Sequence, residues 1–347
     1  MTFYDQDVYG LLSGYSWWPT DNLTYSFPTA ASNYVDSYAT GEPYLGFHSF
    51  NPAQQSVVRY ALKLVSQYTL LTFTQITETD STHANLRFAD TSVSVVPTSW
   101  GYYPGTPDGG DVWLGNIAFT PPTKGSYAFG TILHEIGHAL GLKHGQDYVP
   151  GFGVLPPQHM STEWSVMTYY SYIGGTGFYE NADGSGNQTY MIDDIAALQY
   201  RYGANFNTYS GNTVYTWSPT TGETFIDGVG QGASSANKVY EAIWDGGGID
   251  TYNLSNYSTN LFVDLLPGEW SIFSTAQLAD LDGAAPGSHL AAGNVANAYL
   301  YHDDPRSLIE NAIGGSGNDT LMETRPTTPW RAAQAMTFWL GSTAMIP

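Results

Sequence analysis

The 347 residues are 42% hydrophobic and 15% aromatic, with 38 glycines and 27 tyrosines, which describes a folded chain rich in strands and turns and excludes a disordered one. Ten Lys and Arg stand against 31 Asp and Glu, a formal net charge of -21 that excludes a phosphate-tracking surface and so nucleic acid as a partner, while leaving carboxylates to spare for calcium. The absence of cysteine excludes disulfides, thiolate metal sites and thiol nucleophiles.

The first residues, MTFYDQDVYGLLSGYSWW, lack a basic segment followed by an apolar run, so no N-terminal signal peptide is expected. No stretch approaches the roughly 18 apolar residues of a membrane span. From residue 51 the run NPAQQSVVRYALKLVSQYT predicts a helix, with Asn51 as its cap, Pro52 at the first helical position, and Val58, Leu62 and Val65 on one face. LLTFTQI (70–76), ANLRFAD (84–90) and DVWLG (111–115) predict strands, separated by Ser, Thr, Pro and Gly. A second helix is expected over 127–140 and a third over 191–203, where Ile195, Leu198 and Tyr202 share a face and Gly203 ends the run.

Length alone suggests about two domains. Beyond residue 205 the texture changes to short alternating segments, TVYTW, KVYEAIW and LFVDLL, between Gly, Ser and Asn clusters. The expected layout is therefore α+β: a mixed domain over 1–205, an all-β domain over 206–321, and an atypical tail over 322–347.

Residues 134–144 read HEIGHALGLKH. On a helix, residues four apart share a face, so His134 and His138 can direct their imidazoles at one point with Glu135 beside them. Gly141 stands where the chain must leave the helix through positive φ, and the turn lets His144 supply a third ligand. Three neutral imidazoles leave a zinc ion one open position for a water whose pKa the metal lowers to about 7, and Glu135 can accept its proton and pass it to a leaving amine.

The full pattern HExxHxxGxxH resembles the metzincin metalloendopeptidases, whose second mark is a methionine-containing turn beneath the zinc. SVMTY at 165–169 matches that turn, with Met167 as the methionine. Tyr169, two residues on, resembles the pattern of serralysins and astacins, in which this tyrosine ligates zinc at rest and stabilises the tetrahedral intermediate; a phenol is a suitable donor to a developing oxyanion. DDIAALQYRYGAN, SGNTVY, WDGGGIDTYNLSNY and IENAIGGSGNDTL look like serralysins specifically. That resemblance implies a zinc peptidase domain followed by a calcium-binding parallel β-roll of glycine-rich repeats.

Gly314 to Asp319 spell GGSGND, in which glycines permit tight turns whose carbonyls, with the Asp carboxylate, coordinate calcium. The ligands implied there are Gly314, Gly315, Gly317 and Asp319. Further calcium positions carried over from the family are Asp245, Gly247 and Asp250, then Tyr209, Gly211 and Thr213, then Leu308 with Glu310.

The resemblance also implies an edge strand ahead of the zinc helix that pairs with extended substrate. Asp111, Val112, Trp113, Leu114 and Gly115 are the candidate, with an ordinary internal strand as the alternative. Protein or peptide substrates, export by type I secretion to the extracellular space and a monomeric state are the corresponding expectations. The competing reading is a catalytically inert calcium-binding interaction protein on a peptidase fold; the intact ligand set disfavours it.

The family's repeats should continue where METRPTTPWRAAQAMTFWLGSTAMIP stands instead. Reading each codon from its third base, Met322, Met336 and Met345 lead into forced Gly, Asp and Asp, and permitted choices elsewhere give GNAADNTLAGGAGNDFLAGLDGND. The residues after about Leu321 are thus read as out of frame, which would remove both roll and secretion signal from the tail.

Overall fold

The computed structural model describes residues 5–34, 38, 41–79, 81–92, 99–115, 121–322, 337–341 and 345–346. The first half runs α1 (Asp5–Tyr9), β1 (Asn22–Ser26), β2 (Phe47–Ser49), α2 (Pro52–Tyr68), β3 (Thr72–Gln75), β4 (Leu86–Thr91), β5 (Ser99–Gly101), β6 (Asp111–Leu114), α3 (Tyr127–Ala139) and α4 (Ile192–Tyr202). The sheet order is β3-β1-β4-β6-β5, with β2 also paired to β4. β3, β1, β4 and β6 are parallel, with β3 at one edge, and β5 runs antiparallel to β6 at the other.

α2 begins where the sequence places it, because Asn51 accepts from the amides of Ala53 and Gln54 while Gln54 reaches back to the Asn51 amide. Val58, Leu62 and Val65 are buried against the sheet side of the molecule together with Leu23, Leu86 and Phe88. α4 ends at Gly203, whose φ of 71° a side chain would resist. The expected strands at 70–76, 84–90 and 111–115 are β3, β4 and β6.

The strand proposed to bind substrate is corrected by the sheet. β6 lies between β4 and β5 and is hydrogen-bonded on both sides, so Asp111, Val112, Trp113 and Leu114 offer no free edge, and Gly115 follows just after the strand. All five are buried, and the Asp111 carboxylate accepts from Arg87 Nε at 2.6 Å and Nη2 at 2.8 Å inside the sheet. The edge belongs to β5.

The second half contains β7 (Val214–Trp217), β8 (Thr224–Ile226), β9 (Val229–Gly230), β10 (Glu241–Ile243), β11 (Thr251–Asn253), β12 (Phe262–Asp264), β13 (Trp270–Ser271), β14 (Val295–Asn297), β15 (Asn311–Ile313) and β16 (Asn318–Met322). β11 pairs parallel with both β7 and β15, β10 with β14, and β12 with β16. Tyr215, Tyr252 and Ala312 therefore stack in register inside a core that also holds Trp217, Val263 and Leu321. Tyr240, Trp244, Trp270 and Tyr299 join the core of the first half, so the two halves share buried apolar surface.

Two short strands of the tail are described: β17 (Thr337–Gly341) runs antiparallel to β16, and β18 (Met345–Ile346) antiparallel to β15. The rest of the tail, and so most of the segment read as out of frame, lies outside the described residues.

Candidate active site

Ser126 caps α3 by accepting from the Phe129 amide at 3.2 Å, and the helix carries His134, Glu135 and His138 toward its last turn. Gly141, at φ +93°, reverses the chain, and the Leu142 amide returns to the Gly137 carbonyl at 2.9 Å. That reversal brings His144 back to the helix face.

The three imidazoles converge through their Nε2 atoms. His138 Nε2 is 3.1 Å from His134 Nε2 and 3.0 Å from His144 Nε2. Each Nδ1 is engaged elsewhere: His134 with the Val166 carbonyl at 2.7 Å, His138 with the Leu142 carbonyl at 2.7 Å, and His144 with Asp147 Oδ2 at 2.8 Å. Since carbonyls and carboxylates only accept, the ring proton belongs on Nδ1 in each case, and three bare Nε2 lone pairs face one point. A cation is the group that such an arrangement fits, and an imidazole-only set with outer hydrogen bonds suits zinc. Burial, then the neighbouring rings, hold His134 and His138 below their ordinary pKa, His134 down to about 3, and burial with the nearby Lys143 lowers His144 against the raising contact of Asp147.

Glu135 is buried, with Oε2 lacking a hydrogen-bond partner, and burial pushes its carboxyl up to about 8 against the lowering contacts of Ser99 and the Gly101 backbone. A bound cation acts in the opposite direction. Tyr169 places its hydroxyl 2.9 Å from His144 Nε2, beside the convergence point, while its ring is 45% exposed. Burial of the hydroxyl end pushes its phenol up to about 12, so it remains a donor at neutral pH.

Met167 is fully buried beneath the helix: a Cβ on Gly137 would lie 2.5 Å from its Sδ. The turn that carries it is tied to α4, where Asp194 accepts from Ser165 Oγ at 2.6 Å, the Val166 amide at 2.8 Å and the Met191 amide at 3.0 Å. Asp147 and Asp194, which fix His144 and the methionine turn, were not singled out by the sequence reading. The acidic residue three positions after His144 was an available signal for the first; the role of Asp194 arises from a contact across 28 residues. Sequence also missed Ser99–Gly101: β5 packs on α3 so closely that a Cβ on Gly101 would lie 2.3 Å from the Glu135 carbonyl oxygen.

The residues expected to hold calcium fall into two groups. Thr213 Oγ1 donates to the carbonyls of Tyr209 and Gly211, each at 3.1 Å, and the Thr213 amide donates to Asp250 Oδ1 at 2.8 Å. Asp245 Oδ1 accepts from the Gly247 amide at 2.7 Å, and Glu310, two residues after Leu308, accepts from the Asp250 amide at 2.8 Å. Asp250 Oδ2 is buried without a donor, and burial pushes Asp245 up to about 6 and Asp250 to about 7. In the second group, Gly314 lies against the Asp319 carboxylate, while Gly315 and Gly317 approach the carbonyls of Tyr257 and Thr259 too closely for a side chain. Such crowding of carbonyls and carboxylates suits an oxygen-seeking ion.

Residues 204–343 match the family model for the Peptidase M10 serralysin C terminal. The chain is 32% identical over 318 residues to Metallopeptidase AprA of Pseudomonas marginalis, covering 87% of this chain and 60% of that protein. It is 32% identical over 314 residues to Serralysin B and 33% over 310 residues to Serralysin A, both of Dickeya chrysanthemi, covering 87% of this chain and 58% of each. The chain thus spans about three fifths of the length of these relatives. Among the described residues, no helix is long and apolar enough to cross a membrane.

Proposed function

We propose that this chain, a relative of the serralysin-type M10 metalloproteases, is a zinc-dependent endopeptidase that cleaves peptide bonds within protein substrates. The observation that carries the reading is the convergence of three Nε2 lone pairs whose rings are each fixed through Nδ1, with a buried carboxylate beside them. Held by His134, His138 and His144, zinc supplies Lewis acidity that polarises a scissile carbonyl and acidifies a water.

The chain's own groups do the rest. Glu135 takes up the proton of the attacking water on its unpartnered Oε2 and delivers it to the departing amine. Tyr169 donates its phenolic proton as a hydrogen bond to the oxyanion that develops on the carbonyl oxygen. The outer edge of β5, Ser99–Gly101, which no strand occupies among the described residues, pairs with the extended substrate and holds it across α3.

In this reading residues 1–205 are the catalytic domain and 206–321 a calcium-bound parallel β-roll. Tyr209, Gly211, Thr213, Asp245, Gly247, Asp250, Leu308, Glu310, Gly314, Gly315, Gly317 and Asp319 supply its ligands. The protein acts outside the cell as a monomer, and the stretch after about Leu321 is read out of frame in place of further repeats; sequencing the parent gene tests that last point.

The activity is tested by incubating the protein with denatured casein in excess calcium, with and without a zinc chelator. Cleavage that the chelator abolishes and added zinc restores is the expected result; a zinc-loaded, calcium-saturated protein that leaves casein intact would overturn the reading.

A further inference from the structure

Outside the candidate active site, three ionisable side chains from three separate elements converge: Asp7 of α1, His159 of the short turn Pro157–His159, and Asp193 of α4. Asp193 is fully buried, Asp7 is 5% exposed and His159 8%. His159 Nδ1 lies 2.9 Å from Asp193 Oδ2 and 3.5 Å from Asp7 Oδ1, and one ligand atom of each residue lies within 4.8 Å of the other two. The ring is held in place by stacking on Trp164, with centroids 3.8 Å apart and planes 6° from parallel.

A hydrogen on Nδ1 explains only part of this. It can serve Asp193 Oδ2, but Asp7 stands beyond hydrogen-bond reach of the same nitrogen, and Asp193 Oδ1 is buried with no donor at all. Among the described residues neither carboxylate has a Lys or Arg partner, so two buried carboxylates face one imidazole. Buried carboxylates are retained when paired or when they coordinate a cation. One ligand atom from each of the three residues lies within 4.8 Å of the other two, close enough for all three to reach one ion.

We infer that Asp7, His159 and Asp193 form a second, structural zinc site that clamps α1 and the Pro157–His159 turn to the start of α4. One imidazole nitrogen and two carboxylates are a ligand set that zinc accepts in tetrahedral geometry, with Asp193 Oδ1 or a water completing it. The clamp sits next to the active-site floor: the Asp193 amide donates to the Trp164 carbonyl at 3.0 Å, and the adjacent Asp194 holds Ser165 and Val166.

The test is a zinc count on the full chain, stripped by chelator, reloaded with Zn2+ in excess Ca2+, desalted and analysed by plasma mass spectrometry. The wild type should carry two zinc ions, His138→Ala one, Asp193→Asn one, and the double variant none. Asp7→Asn, on a different helix, should repeat the loss seen with Asp193→Asn, and zinc should raise the melting temperature of His138→Ala but not of the double variant. A single zinc in the wild type that His138→Ala removes overturns the inference. A single zinc that survives His138→Ala and disappears with Asp193→Asn upholds it and overturns the active-site zinc instead.

Discussion

Gly101 and Glu135 are in backbone contact: the position a Cβ would take on Gly101 is 2.3 Å from the Glu135 carbonyl oxygen and 3.1 Å from His138 Cβ. The edge of the sheet and the helix of the three-histidine site are therefore fixed to one another at Glu135, the proposed general base. Gly101→Ala should push β5 off α3 and displace bound substrate by a few tenths of an ångström or more. A fall in kcat/KM of about tenfold or more is expected, with zinc content unchanged. Steady-state kinetics alongside a zinc count would check it, and an unaffected kcat/KM would remove β5 from the substrate site.

Tyr169→Phe deletes one hydroxyl and keeps the ring on His134 and His144. Loss of an oxyanion donor lowers kcat by about 10² to 10³ while leaving KM near its original value. A parallel rise in KM would instead place Tyr169 in substrate binding.

Asp147→Asn tests the outer shell of the site. An amide cannot serve His144 Nδ1 as the carboxylate does, so zinc affinity should fall about 10- to 100-fold, read by competition with a chromophoric chelator. Asp194→Ala should cost more, because it strips acceptors from Ser165, Val166 and Met191 at once, at about 1–3 kcal/mol for each buried donor left unsatisfied. The check is the melting temperature in excess zinc and calcium.

Asp90 gives a pH dependence unconnected with metal. Its Oδ1 accepts from Gln54, which also closes the cap of α2, and burial pushes its carboxyl up to about 7. A carboxyl raised above its unfolded value binds a proton more readily in the folded state. Its contribution to stability is present below the unfolded pKa and is lost as pH rises through about 7. Asp90→Asn should flatten the melting temperature between pH 5 and 8 on an order-of-magnitude view of that shift, and a variant that melts in parallel with the wild type would contradict it.

Calcium removal should lower the melting temperature of the wild type and expose Tyr215 and Tyr252, which stack behind Asp245 and Asp250. Asp250→Asn should remove most of that calcium response, since Asp250 Oδ2 is the buried oxygen without another partner. Fluorescence-monitored melting with and without a calcium chelator measures both.

The site was legible where its chemistry is local. His134, Glu135 and His138 are read from helical spacing, Gly141 from the turn it must make, and Asn51 and Pro52 from the way a helix starts. The strand order was not, because β1 and β5 are short and carry no periodicity that distinguishes a central strand from an edge one. DVWLG looked like a strand and is one, yet its place between β4 and β5 depends on pairing that periodicity does not encode. Asp194 and the Asp7, His159 and Asp193 cluster arise from contacts between distant segments, which a single sequence does not order in space.

The central claim rests on Glu135 acting as the base beside an intact metal site, and Glu135→Gln addresses it most directly. The variant keeps the shape of the side chain and all three imidazoles, so it should bind zinc at His134, His138 and His144 as the wild type does and cleave casein at background rate. A variant that retains that zinc and still cleaves at near the wild-type rate would contradict the account.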